Sequence, residues 1–118
     1  MTTQEIPTFL RFRIYLGHEI RPDKAKFPGE SVDVARAAEI VADSYPNGFT
    51  MMSALGRWKG PDGRIVAEPS TVFEILAPNA TGLESAQVRS LALTLRTEFR
   101  QDSVLVTAEP VPVVDFVA

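Results

Sequence analysis

Phe9, Arg11, Arg13 and Tyr15 fall on alternate positions of one segment, and Glu74 falls on the matching face of another. Two guanidinium groups on one strand face can clamp a phosphate or carboxylate, while flanking rings stack on a flat group. The plainer reading is that Glu74 neutralises an arginine and the face is solvated or buried in a homodimer. A second group is Arg57-Trp58-Lys59 with Arg64 and Glu68. A tryptophan between cations suits a planar ligand with anion contacts beside it, although Trp58 can equally pack on the core. Glu68 can accept a hydrogen bond from a ligand hydroxyl or amine, or pair with Arg57 or Arg64 across a hairpin.

Catalytic chemistry is sparser. The single histidine, His18, precedes Glu19, so a general base oriented by a carboxylate is conceivable, but adjacent strand residues point to opposite faces and a solvated loop histidine is the simpler reading. No His/Asp/Glu grouping has metal-ligand spacing, and no glycine-rich phosphate loop, nucleophile elbow or triad is present. Gly60-Pro61-Asp62-Gly63 reads as a turn. No catalytic residue, metal or cofactor is therefore expected.

The elements that must position these residues follow from periodicity. Leu10, Phe12, Ile14 and Leu16 alternate with the Arg/aromatic set, which predicts a half-buried strand over 8–17. Residues 18–29, with Pro22, Pro28 and Gly29, read as a long loop. Ser31 offers an N-cap to a helix carrying Val34, Ala38, Val41, Ala42 and Tyr45, which Pro46-Asn47-Gly48 ends. Two arms around the 60–63 turn predict a hairpin, with Pro69 breaking or bulging the return arm before a strand at 70–77. Thr81 and Glu84 are spaced as a capping box before a helix with Val88, Leu91, Ala92, Leu95 and Phe99 on one stripe. A strand at 103–107 and a tail with Pro110 and Pro112, an edge strand or extended arm over 108–118, complete the chain.

The order β-α-β-β-α-β predicts an α+β fold: a ferredoxin-like sandwich, an antiparallel sheet with two helices on one face and the first and third strands central. Arg11, Arg13 and Glu74 then project from the uncovered face.

At 118 residues, 45% apolar and 23% charged, the chain has the size of one domain, with 1–7 as a flexible N-terminus. Without cysteine it has no disulfide, thiolate zinc site or thiol nucleophile. A net charge of −3 has the wrong sign for general nucleic-acid binding. No stretch has the composition of a signal peptide or membrane span, so a cytoplasmic location without membrane attachment is expected.

Arg13-Ile-Tyr-Leu-Gly17, Tyr45-Pro-Asn-Gly-Phe-Thr50, Ala54-Leu-Gly-Arg-Trp58, Gly63-Arg-Ile-Val-Ala-Glu-Pro-Ser70 and Phe99-Arg-Gln-Asp-Ser-Val-Leu105 together resemble the successive blocks of the DUF3574 family of small bacterial proteins. The resemblance spans about three-quarters of the chain and implies a compact α+β domain of uncharacterised function, with no reaction attached.

The residues alone favour a non-catalytic protein that binds a planar anionic ligand such as a nucleotide through Arg11, Arg13, Tyr15, Arg57, Trp58, Arg64, Glu68 and Glu74. Its sharpest form is a phage-type protein that sequesters a nucleotide signal. The alternatives are a small ferredoxin-like enzyme using His18 or Glu68 for proton transfer and a purely structural homo-oligomer. A homodimer or higher homo-oligomer is expected from the apolar tail 111–117 and the open sheet face.

Overall fold

The computed structural model describes residues 8–78 and 83–118, the side chains of Trp58 and Leu83 excepted. The 1–7 terminus and Thr81 of the expected capping box lie outside the described residues. Six elements follow in the order β1 (Thr8–Gly17), α1 (Val34–Ser44), β2 (Thr50–Lys59), β3 (Ile65–Pro78), α2 (Leu83–Glu98) and β4 (Leu105–Pro112). The strands form one sheet in the order β2-β3-β1-β4, with every neighbouring pair antiparallel. The first and third strands are thus central, and the fold is α+β.

Alternation on β1 does what its sequence dictates. Phe12, Ile14 and Leu16 are buried with Phe73 and Ile75 of β3, Ala37 and Val41 of α1, and Val88, Leu91, Ala92 and Leu95 of α2. One sheet face and both helices therefore share one core. The opposite row of β1, Phe9 to Tyr15, is half-buried on the open face.

Three local expectations are corrected. Asp33, not Ser31, caps α1: its Oδ1 accepts a hydrogen bond from Arg36 N at 3.1 Å. Ser31 instead forms an isolated bridge with Glu19. Pro69 neither breaks nor bulges β3, which runs unbroken through it. The register needs no donor from position 69: Pro69 O accepts from His18 N at 3.0 Å, and His18 O is satisfied by Val32 N at 2.8 Å. The last strand begins at Leu105 rather than Ser103 and extends through both tail prolines, which an edge strand tolerates.

The long loop, 18–33, is held by the turn that ends α2. Gln101 N donates to Arg96 O and Arg100 N to Thr97 O, a Schellman closure with Arg100 at φ 52° in the left-handed position. From there Arg100 makes a two-pronged contact with Glu30 (2.9 and 2.7 Å) and donates to Lys24 O at 2.8 Å. Asp102 accepts from Arg21 and Lys24, and Gln101 donates to Glu19 O. The Arg100 hydrogen bonds, aided by one from Lys26 N, hold the Glu30 carboxyl down at about 2. Among the described residues no helix is long and apolar enough to cross a membrane.

Candidate functional site

Strand alternation brings Arg11, Arg13, Tyr15, Glu68 and Glu74 to the open face, in the registers Arg13↔Glu74 and Tyr15↔Val72. The arginines are not a free anion clamp. Arg13 Nε donates to Glu74 Oε1 at 2.9 Å, a contact that raises the guanidinium pKa further. Arg11 Nε donates to Glu109 Oε1 at 2.9 Å and lies 3.6 Å from Glu74. Two cations thus meet two carboxylates, and the patch carries no net charge. Glu109 was missed by sequence reasoning because its segment, an edge strand or an extended arm, came with no register; the β1–β4 register places it directly opposite Arg11.

Among the described side chains the hairpin group does not assemble. Arg57 is exposed opposite Ala67, Arg64 lies only 3.8 Å from its turn neighbour Asp62, and Trp58 occupies the β2 position opposite Val66, its side chain outside the described residues. Glu68 pairs with neither arginine. It turns back to the end of β1, where its Oε1 accepts from Glu19 N at 2.8 Å and the carboxylate rests against the Cα of Gly17. No hydrogen bond from a described residue reaches its second oxygen. Around it on the open face stand small residues, with Gly17 opposite Ser70, Ser70 opposite Ala54, and Glu68 opposite Gly56.

His18 is not a solvated loop residue and has no contact with a carboxylate. Its Nε2 lies 2.7 Å from Thr71 Oγ1, and Thr71 is buried in the row of Phe73 on the helix side. The structure therefore separates His18 and Glu68 onto opposite sides of the sheet corner. A hollow of about 650 Å³ opens there, lined by His18, Glu19, Lys26, Phe27 and Pro69 among others, a size that suits a small-molecule site. Phe27 is 60% exposed at its rim. Among the described residues no group of three His, Cys, Asp or Glu side chains could hold a metal ion.

Against known proteins, the chain gives no match among curated proteins. Among solved structures it is similar to a phage SAM lyase in complex with S-methyl-5'-thioadenosine, with 17% identity, TM-score 0.61, and 92% of this chain and 93% of that one covered. A phage SAM lyase in the apo state matches at 13% identity and TM-score 0.61 over 99% and 100%. The expectation of a non-catalytic binder is corrected by this comparison. These two solved chains, similar along their whole length, are those of an enzyme, so a shortage of triads and metal motifs is no argument against chemistry on such a scaffold. The family model for DUF3574, a protein of unknown function, matches residues 11–116, and the chain belongs to that family.

Proposed function

We propose that this protein is an enzyme that cleaves S-adenosylmethionine or a close sulfonium analogue, releasing S-methyl-5'-thioadenosine. The observation that carries the reading is the whole-length likeness to a phage SAM lyase, combined with a nucleoside-sized hollow lined by Glu19 and Pro69, the hydrogen-bond partner and the chain neighbour of Glu68. The chemistry suits a site poor in catalytic motifs. Forming that thioether from S-adenosylmethionine breaks the bond between sulfur and the amino-acid chain; sulfur keeps the electron pair, and the carbon it leaves is taken by the substrate's own carboxylate oxygen, which closes a five-membered lactone with no co-reactant. A sulfonium is already cationic, so its departure needs no protonation by an acid. What it needs is a site that tolerates positive charge: Glu19 and the exposed ring of Phe27 line the hollow, and the Glu68 carboxylate is hydrogen-bonded to Glu19 N.

The strand order and the all-antiparallel pairing support a ferredoxin-like reading of the architecture, on one domain. The exposed Val114 and Val117 on the tail support a homo-oligomer.

The test is incubation of the purified protein with S-adenosylmethionine and chromatography of the products. S-methyl-5'-thioadenosine should accumulate with turnover, and Glu68→Gln should lower kcat at least about 100-fold, the scale of a lost charged group at a reacting centre. Recovery of intact S-adenosylmethionine after prolonged incubation would overturn the reading.

A further inference from the structure

We propose that Gly17 is a positioning residue for Glu68: its missing side chain is the space in which the carboxylate is held. The inference deepens the proposed function, because it rests on Glu68 facing the substrate. Gly17 ends a central strand, a place where glycine costs ordering entropy and contributes no packing. Backbone conformation does not explain it. Among the described residues the glycines with positive φ are Gly29, Gly48 and Gly63, and Gly17 is not one of them. Space does explain it: a Cβ at position 17 would lie 2.4 Å from Oε1, 2.9 Å from Cδ and 3.2 Å from Oε2 of Glu68.

The carboxylate is therefore fixed between two main-chain features, the Cα of Gly17 and the N–H of Glu19, which donates to Oε1 at 2.8 Å. That segment is itself tied down on both sides, by His18 N to Pro69 O and Val32 N to His18 O. A main-chain corner holds the group without a cationic partner that would cancel its charge. This differs from Glu74 and Glu109, each spent on an arginine. Oε1 is oriented and Oε2 is left for the ligand.

The experiment compares wild type, Gly17→Ala, Glu68→Asp and the double variant Gly17→Ala/Glu68→Asp by kcat and KM for S-adenosylmethionine, by the Glu19 amide resonance and by melting temperature. In Gly17→Ala the methyl expels the carboxylate, so kcat should fall at least about tenfold, the Glu19 amide should lose its hydrogen-bonded shift, and the melting temperature should change little. Aspartate is one methylene shorter, so the double variant should recover part of the kcat lost in Gly17→Ala. A Gly17→Ala protein with wild-type kcat and an unmoved Glu19 amide overturns the proposal. If Gly17→Ala fails to fold, Gly17→Ala/Glu68→Ala decides: folding restored by removing the carboxylate supports the steric account, and continued failure overturns it. If wild type does not cleave the substrate, the proposed function fails alone, because the Glu19 amide still reports whether Gly17 sets Glu68.

Discussion

Within β3, Phe73 and Ile75 lie at 0% and 2% exposure between β1 and the helices, whereas Ile65 in the other half of the same strand stands 59% exposed. The residue types are alike and the surroundings are not. From Ser70 onward β3 is flanked by β1 on one side and, to Glu74, by β2 on the other; before Ser70 β2 is its only neighbouring strand, because β1 ends at Gly17 and just one further bond, His18 N to Pro69 O, follows it. The hairpin thus projects beyond its third strand by five residues, Ile65 to Pro69, about 17 Å at strand rise. A two-stranded ribbon of this kind is marginal by itself in water. The difference teaches that stability is concentrated in the sandwich, while the ribbon is anchored at its root by the Glu68 corner, so that the proposed chemistry sits at the seam between a rigid and a loosely held region.

Amide hydrogen exchange gives the largest contrast. The amides of Ile14 and Phe73 should exchange only through global opening, on the scale of about 5–15 kcal/mol, while those around Arg57 and Val66 should exchange orders of magnitude faster. Equal protection would break the comparison and would mean that a second copy of the chain covers the ribbon. Next, Leu95→Ala or Leu91→Ala should lower unfolding free energy by about 2–5 kcal/mol in urea titration, since each empties a buried position against the sheet. Thr94→Ala, on the exposed side of α2, should cost far less.

The acid limb sharpens the picture of the loop. The Glu30 carboxyl moves from an ordinary 4.5 in the unfolded chain to about 2 when folded. Its contribution is complete above pH 4.5 and is lost as pH falls through about 2, because below that both states carry the proton. Glu30→Gln should flatten that part of a stability-versus-pH curve; a variant curve parallel to wild type would show that Arg100 does not hold the loop through charge. The smallest effect belongs to the ribbon, where Ile65→Thr or Leu55→Thr should stay within about 0.5 kcal/mol by chemical denaturation. A cost as large as that of Leu95→Ala would place these side chains in an interface.

Periodicity made the sandwich legible: the alternation of Leu10 to Leu16 and the stripe from Val88 to Phe99 each report a single buried face, and both are buried as expected, apart from half-buried Leu10. The cap of α1 was misplaced by two residues because Ser31 and Asp33 both have capping chemistry and only the loop path decides between them. For the candidate site, the sequence offers residue types and not their pairings. Arg11 and Arg13 look free until the register brings Glu109 and Glu74 beside them. Glu68 was singled out, but its real neighbours, Gly17 and Glu19, are far away in sequence and one of them contributes only an absence of atoms. Such a contact leaves no periodic trace.

Arg100 at φ 52° has an implication for anyone who wishes to engineer this chain. A non-glycine residue there carries a conformational cost that glycine would remove, so Arg100→Gly makes the helix-ending turn more comfortable while deleting the guanidinium that grips Glu30 and the Lys24 carbonyl. The two changes have opposite sign. A thermal melt of that variant can come out nearly unchanged even as the wall of the hollow comes loose, and a stability screen would pass it as silent. Consensus-style or glycine-for-turn redesign at this position therefore has to be judged by ligand affinity and loop order, since the melting point sums over the one trade that matters.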